Sequence, residues 1–282
     1  MLPLATFAQK SGATGNTFKY KHPHSKKPTN YINSFKGTVM LGTSSYYGDL
    51  CDSWSDCGKT SNLALGIGVQ YRWTRHIATR LDLNYMRLSA DDADGGAHPT
   101  RNLSFKSDNF DINIIGVYDI FPYIKMFRRR HAFAPYLLGG IGLLNYNPKG
   151  EYDGTWYKLR PIETEQTSYS SFAFNIPFGA GIRYKFSTHL DINFEFTYHI
   201  TFTDFIDDVS NKYPEVYTSD LQQNLSDKRT VETTSLTRGG SETNDSYFVF
   251  GFRAEYTLKV PRQHYNLHSK NAKYRTHKGI RR

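Results

Sequence analysis

The sequence predicts an all-β chain: an eight-stranded antiparallel transmembrane up-and-down β-barrel with long extracellular loops and basic terminal tails. Three observations predict it. Eight segments alternate with period two, the connections between them alternate in length, and Tyr or Trp recurs near the segment ends. Period-two patterning gives each strand two chemically distinct faces. A membrane barrel turns the apolar face outward and the polar face inward, the inverse of a soluble sheet.

In chain order, residues 1–8 read as the remnant of a secretory signal, with Thr6 and Ala8 as the small pair before cleavage at Gln9. Residues 9–34 form a basic periplasmic arm, with Lys10, Lys19, Lys21, Lys26 and Lys27 and no acid. The barrel occupies 35–258, with alternating segments at about 35–42, 61–73, 75–88, 105–120, 132–146, 172–186, 188–202 and 246–258. Within it Leu63, Leu65, Ile67, Val69, Tyr71 and Trp73 oppose Ala64, Gly66, Gly68, Gln70 and Arg72. Leu190, Ile192, Phe194, Phe196, Tyr198, Ile200 and Phe202 likewise oppose Asp191, Asn193, Glu195, Thr197 and His199. Connections 73–75 and 187–188 are tight and 121–131 is moderate, whereas 43–60, 89–104, 147–171 and 203–245 are long. An up-and-down barrel with both termini periplasmic produces that order. Tyr71, Trp73, Tyr118, Tyr123, Tyr136, Tyr146, Tyr184 and Tyr256 fit interfacial girdles.

The polar parity sends Arg72, Arg80, Asp82, Asp111, Arg183, Lys185, Asp191, Glu195, Arg253 and Glu255 into the lumen. Five bases against five acids predict a salt-bridged plug, since buried charges must be paired or hydrated. An eight-stranded barrel has room for side chains or one small ligand. No run of about 18 apolar residues exists, which excludes a helical membrane protein. No metalloprotease, Walker A, nucleophile-elbow or dinucleotide motif occurs, and His199 has no Ser or Cys partner that spacing can place. A non-enzymatic protein without cofactor or metal is expected.

Cys51 and Cys57 enclose five residues in the first long loop, where an exported chain forms a local disulfide. Asp91, Asp92 and Asp94 read as solvated loop charges, with calcium as the alternative. Asp204, Asp207 and Asp208 read as a structural knot at a strand exit rather than a metal site. The net charge is +9, yet residues 259–282, a basic periplasmic C-terminal tail, carry eight bases and no acid, including Lys259, Arg262, Lys270, Lys273 and Arg275. Together with six lysines of the N-terminal arm, Lys36 counted among them, the tails leave the rest of the chain net negative. Arg128, Arg129 and Arg130 add to the same periplasmic side, so a basic docking face for an acidic protein or anionic lipid is expected. No recognition motif supports nucleic-acid binding.

The segments Gly42–Asp49, Arg101–Ser107, Pro135–Gly142, Asn145–Pro148, Pro161–Glu165, Ile176–Gly181, Thr203–Ser210 and Asp245–Tyr247 together resemble the PorG-like outer-membrane β-barrel family of the type IX secretion system. Where relatives often carry Thr-Glu-Gly-Gln, this chain has Thr164-Glu165-Gln166-Thr167. The resemblance implies a non-enzymatic role in protein transport and gliding motility. It implies anchoring of a periplasmic ring, built by a PorK-like lipoprotein and a PorN-like protein, to the outer membrane and its lipids. A stand-alone structural or surface ligand-binding outer-membrane barrel is the other expectation.

Overall fold

The computed structural model describes residues 33–51, 57–92, 101–124, 127–229, 237–240 and 243–259. Its elements are β1 (Ser34–Tyr47), β2 (Asn62–Arg72), β3 (Ile77–Asp91), β4 (Ser104–Asp119), β5 (Phe133–Asn145), β6 (Pro148–Tyr152), β7 (Thr155–Lys158), β8 (Phe172–Lys185), β9 (Leu190–Thr201), α1 (Asp220–Ser226) and β10 (Ser246–Lys259). Strands β1, β2, β3, β4, β5, β8, β9 and β10 pair antiparallel in that order, and β10 closes on β1. The ring is an eight-stranded closed barrel, as the alternation predicts, and closure leaves it no unpaired edge. The expectations for residues 1–8, for the arm up to residue 32 and for 260–282 lie outside the described residues.

Exposure is inverted relative to a soluble protein. Phe174 is 70% exposed and Ile67 59%, while Arg72 and Glu255 are fully buried. Apolar side chains continue around the outer wall, for example Leu41, Leu81, Ile114, Leu137, Phe194 and Phe252. A patch that size has no counterpart on a monomer in water, and hydrocarbon is the solvent that matches it.

Aromatic pairs mark both rims of this band. On the short-turn rim Tyr71 contacts Phe35 and Trp73 at 4.7 and 4.5 Å, and Phe133 meets Tyr184 at 5.1 Å. On the long-loop rim Tyr85 meets Phe110 at 5.3 Å. Three expected girdle residues are elsewhere: Tyr123, Tyr136 and Tyr146 are buried. Tyr136 sits on the inward parity of β5, Tyr123 lies in the β4–β5 turn that folds into the mouth, and Tyr146 packs beneath the long loops.

Strand β1 runs to Tyr47, beyond the expected end near 42, because Tyr46 is anchored under the loops at its far end. The long connection 147–171 contains the β6–β7 hairpin. Its two-residue turn, Asp153-Gly154, has φ of 49° and 71°, the pair of left-handed residues that suits the strand twist. The connection 203–245 contains α1, capped by Ser219, whose hydroxyl accepts from Gln222 N at 3.1 Å. Lys36, counted above with the basic arm, belongs to β1 and is fully buried in the lumen.

Candidate functional site

Side chains fill the lumen from wall to wall. Six bases, Lys36, Arg72, Arg80, Arg130, Arg183 and Arg253, face six acids, Asp82, Asp111, Asp119, Asp191, Glu195 and Glu255, and all twelve are buried. Of the ten residues that parity sends inward, only Lys185 is half-exposed, because it lies at the rim. Lys36 and Asp119 share the inward parity of β1 and β4 and complete that set from the strand ends, whereas Arg130 arrives from a turn, which parity cannot see.

The middle layer is a clasp across the barrel. Arg80 of β3 grips Glu195 of β9 with both terminal nitrogens, at 2.6 and 3.1 Å, and reaches Asp82 at 2.7 Å. Arg253 of β10 bridges the same two acids at 2.9 and 3.0 Å, and the Tyr136 hydroxyl donates to Glu195 at 2.6 Å. Gly181 makes this possible, since a Cβ there would stand 2.4 Å from the Tyr136 ring. Paired, hydrogen-bonded charge is the form in which such groups tolerate burial.

Nearer the short turns, Lys36 bonds Asp191 and Glu255 at 2.9 and 2.7 Å, and Arg72 pairs with Asp119 at 2.5 Å. The β4–β5 turn closes this mouth. Its Tyr123 ring has Arg72 and Arg130 at 4.2 Å each, Lys36 at 5.0 Å and Arg183 at 5.8 Å, an aromatic face shared by four cations. Arg130, expected on the basic docking face, instead turns inward to Asp191 at 2.7 Å. Arg128 and Arg129 are exposed. Lys259 lies at the end of β10, while Arg262, Lys270, Lys273 and Arg275 lie outside the described residues.

Above the clasp, Asp111 accepts from Asn84 at 2.7 Å and from Tyr247 at 2.9 Å. His199 stacks on Tyr247 at 4.3 Å, with Nδ1 3.4 Å from Asn175 and Nε2 3.2 Å from Thr197. The cavity beside it is about 10 Å³, room for a single water. Among the described residues no group of His, Cys, Asp and Glu is placed to hold a metal ion.

The long-loop end carries a folded cap. Arg101 fixes Asp92 through two nitrogens, at 2.9 and 2.6 Å, and donates to the carbonyls of Arg238 and Asp49 at 2.6 and 2.9 Å. Arg238 pairs with Glu165 at 2.8 Å and also donates to the Asp208 carbonyl. Glu165 accepts from the amides of Ser210 and Asn211, both at 2.9 Å. Two arginines thus join four loops.

Asp207 and Asp208 are buried in this knot, and Asp204 is nearly so. Asp208 accepts from Thr164 and from the Tyr169 hydroxyl, while the Tyr46 hydroxyl lies 2.7 Å from Asp207 and 2.5 Å from Asp245. One phenolic proton cannot serve two carboxylates, so one of the pair carries its own. Burial raises both, and the charge of Asp245 raises Asp207 further. Asp204 is pushed up to about 7, by burial and then by the charges of Asp49 and Glu165. The first loop is closed by the Cys51–Cys57 disulfide. Asp92, read as a solvated charge, is instead buried against Arg101, and Asp94 lies outside the described residues.

The segments that carry the family resemblance converge here. Tyr46, Arg101, Thr164, Glu165, Asp207, Asp208 and Asp245 come from five of them and meet in one network. Arg238 was not singled out in the sequence; its only local signal is a lone base before Gly239-Gly240 amid polar residues.

A family model described as outer membrane protein beta-barrel domain matches residues 25–228. No curated protein matches the sequence. Among solved structures, Neisserial surface protein A aligns with 79% of this chain and 97% of its own, at 11% identity and a TM-score of 0.42. Ail of Yersinia pestis aligns with 80% and 99%, at 9% identity and 0.40. The N-terminal barrel of Pseudomonas aeruginosa OprF aligns with 80% and 98%, at 9% identity and 0.37. The fold rests on the strand register itself rather than on these likenesses.

Proposed function

The chain belongs to the outer membrane protein beta-barrel domain family, and from that premise we propose a closed, non-enzymatic outer-membrane barrel that works as a stand-alone structural and surface ligand-binding protein. The observation that carries this reading is the division between a lumen packed with paired charges and a cap in which four long loops are tied together. A packed lumen supports anchoring rather than transport, and an ordered cap supports recognition. In this reading the cap faces the exterior and the three short turns, with both termini, face the periplasm. Modification of V216C and R129C by a membrane-impermeant maleimide on intact cells tests the orientation. Val216 should react and Arg129 should not; the reverse pattern inverts the assignment.

A second reading, the anchoring of a periplasmic ring of PorK-like and PorN-like proteins, is favoured by one feature. The turns 73–76, 120–132 and 186–189 contain no acid, and Arg75, Arg128, Arg129, His131 and His189 are exposed on them. Such a surface attracts acidic partners in a salt-sensitive way. The test is co-purification of those ring proteins with the full-length chain, and its loss in R128Q/R129Q or on removal of 259–282. Normal ring assembly and secretion in cells lacking the protein would eliminate this reading.

A further inference from the structure

We infer that the outer flank of β4, β6 and β7 binds the phosphorylated sugar headgroup of a glycolipid in the leaflet at the long-loop end. The inference rests on the membrane placement proposed above, and it concerns the end of the barrel opposite the basic turns.

Strand register carries the first step. Lys106 of β4 pairs with Lys149 of β6, and Lys149 pairs in turn with Lys158 of β7. Directly opposed residues share a face, so three ammonium groups stand in a row. Their neighbours Ser107, Pro148 and Leu159 are buried, which fixes the lysines on the outward side. Like charges opposed across strands are unfavourable unless an anion joins them. One carboxylate does so in part: Asp108 accepts from Lys149 at 3.1 Å, Arg87 at 2.7 Å and Tyr85 at 2.9 Å. Among the described residues neither Lys106 nor Lys158 forms an ion pair.

Beside Lys106 lies an open groove of about 310 Å³, bordered by Asn62, Asp91, Ser104, Glu151 and Trp156. The Lys106 ammonium sits 5.3 Å over the Trp156 ring. A flat indole flanked by carboxylate, amide and hydroxyl groups suits a pyranose ring, with its apolar face on the indole and its hydroxyls on the acceptors. The lysine row supplies the countercharge for a phosphate.

Height selects a lipid rather than a soluble sugar phosphate. On β3 the outward residues run Leu81, Leu83, Tyr85, Arg87, and on β4 they run Ile114, Ile112, Phe110, Asp108, Lys106. The cluster therefore begins one outward residue above the Tyr85–Phe110 contact, where the greasy wall stops. A headgroup held there leaves its acyl chains along Leu83, Ile112 and Ile114. A soluble ligand gains nothing from that wall.

The test titrates the full-length protein in detergent micelles with bisphosphorylated lipid A, its dephosphorylated counterpart and glucosamine 6-phosphate, reading bound species by native mass spectrometry. The parent should prefer the phosphorylated lipid at least tenfold over the other two. K106Q/K149Q/K158Q should lose that preference, K106R/K149R/K158R should keep it, and R75Q/R128Q/R129Q at the other end should leave it unchanged. Folding of each variant is confirmed by its heat-modified gel mobility. Preference retained in the Gln variant, or lost equally in the control at the turns, overturns the site. Glucosamine 6-phosphate binding as tightly as lipid A overturns the lipid assignment. Because micelles impose no orientation, these outcomes are independent of maleimide labelling, which tests the placement itself.

Discussion

At the scale of single residues, the decisive groups are those whose charge is held away from water. Glu195 receives Arg80, Arg253 and Tyr136 at once. Glu195→Ala leaves two buried guanidinium groups short of a partner and should cost roughly 3–5 kcal/mol, seen as a lower urea midpoint in lipid vesicles. An unchanged midpoint would mean that water, not Glu195, neutralises the arginines. In the cap the sign is opposite. Burial raises Asp204 to about 7 and Asp208 to about 6, above an unfolded carboxyl near ~3.9. Groups raised in this way favour the folded cap when protonated. That stability is complete below about pH 4 and is lost as pH climbs through about 6 to 7. Amide exchange at 203–210, corrected for intrinsic rates, should therefore accelerate from pH 4 to 7.5. Asp204→Asn should remove the upper part of that rise; protection that grows with pH would contradict the account.

At the scale of elements, alternation alone located all eight barrel strands, because inward and outward positions differ in chemistry along each one. What it missed was structure inside the connections. The β6–β7 hairpin is signalled by Asp153-Gly154, but its strands are short and polar and show no hydrophobic period. Gly154, at φ 71° with no atom near its absent Cβ, tests that turn by conformation alone. Gly154→Ala should cost about 1–2 kcal/mol locally, read as faster exchange in β6 and β7 with barrel unfolding unaltered. Gln166 takes a left-handed φ of 53°, and its side chain donates to the Val216 carbonyl at 2.6 Å, which helps to hold that conformation.

At the scale of the whole molecule, the barrel is a plugged cylinder, and reconstituted planar bilayers should show no conductance above the lipid baseline. Stable channels of uniform size would disprove the packed lumen. The sequence by itself determined the two faces of eight strands, because side-chain parity is a local property of extended backbone. The alternation of short and long connections added that these strands close into a membrane barrel with the apolar face outward and balanced charges inside. Only the tertiary structure decided which acid meets which base, that Arg130 and Tyr123 fold into the mouth, and that Arg101 and Arg238 gather four loops over Tyr46. Those contacts join residues far apart in the chain, and the strand register that brings them together is fixed only once the barrel has closed.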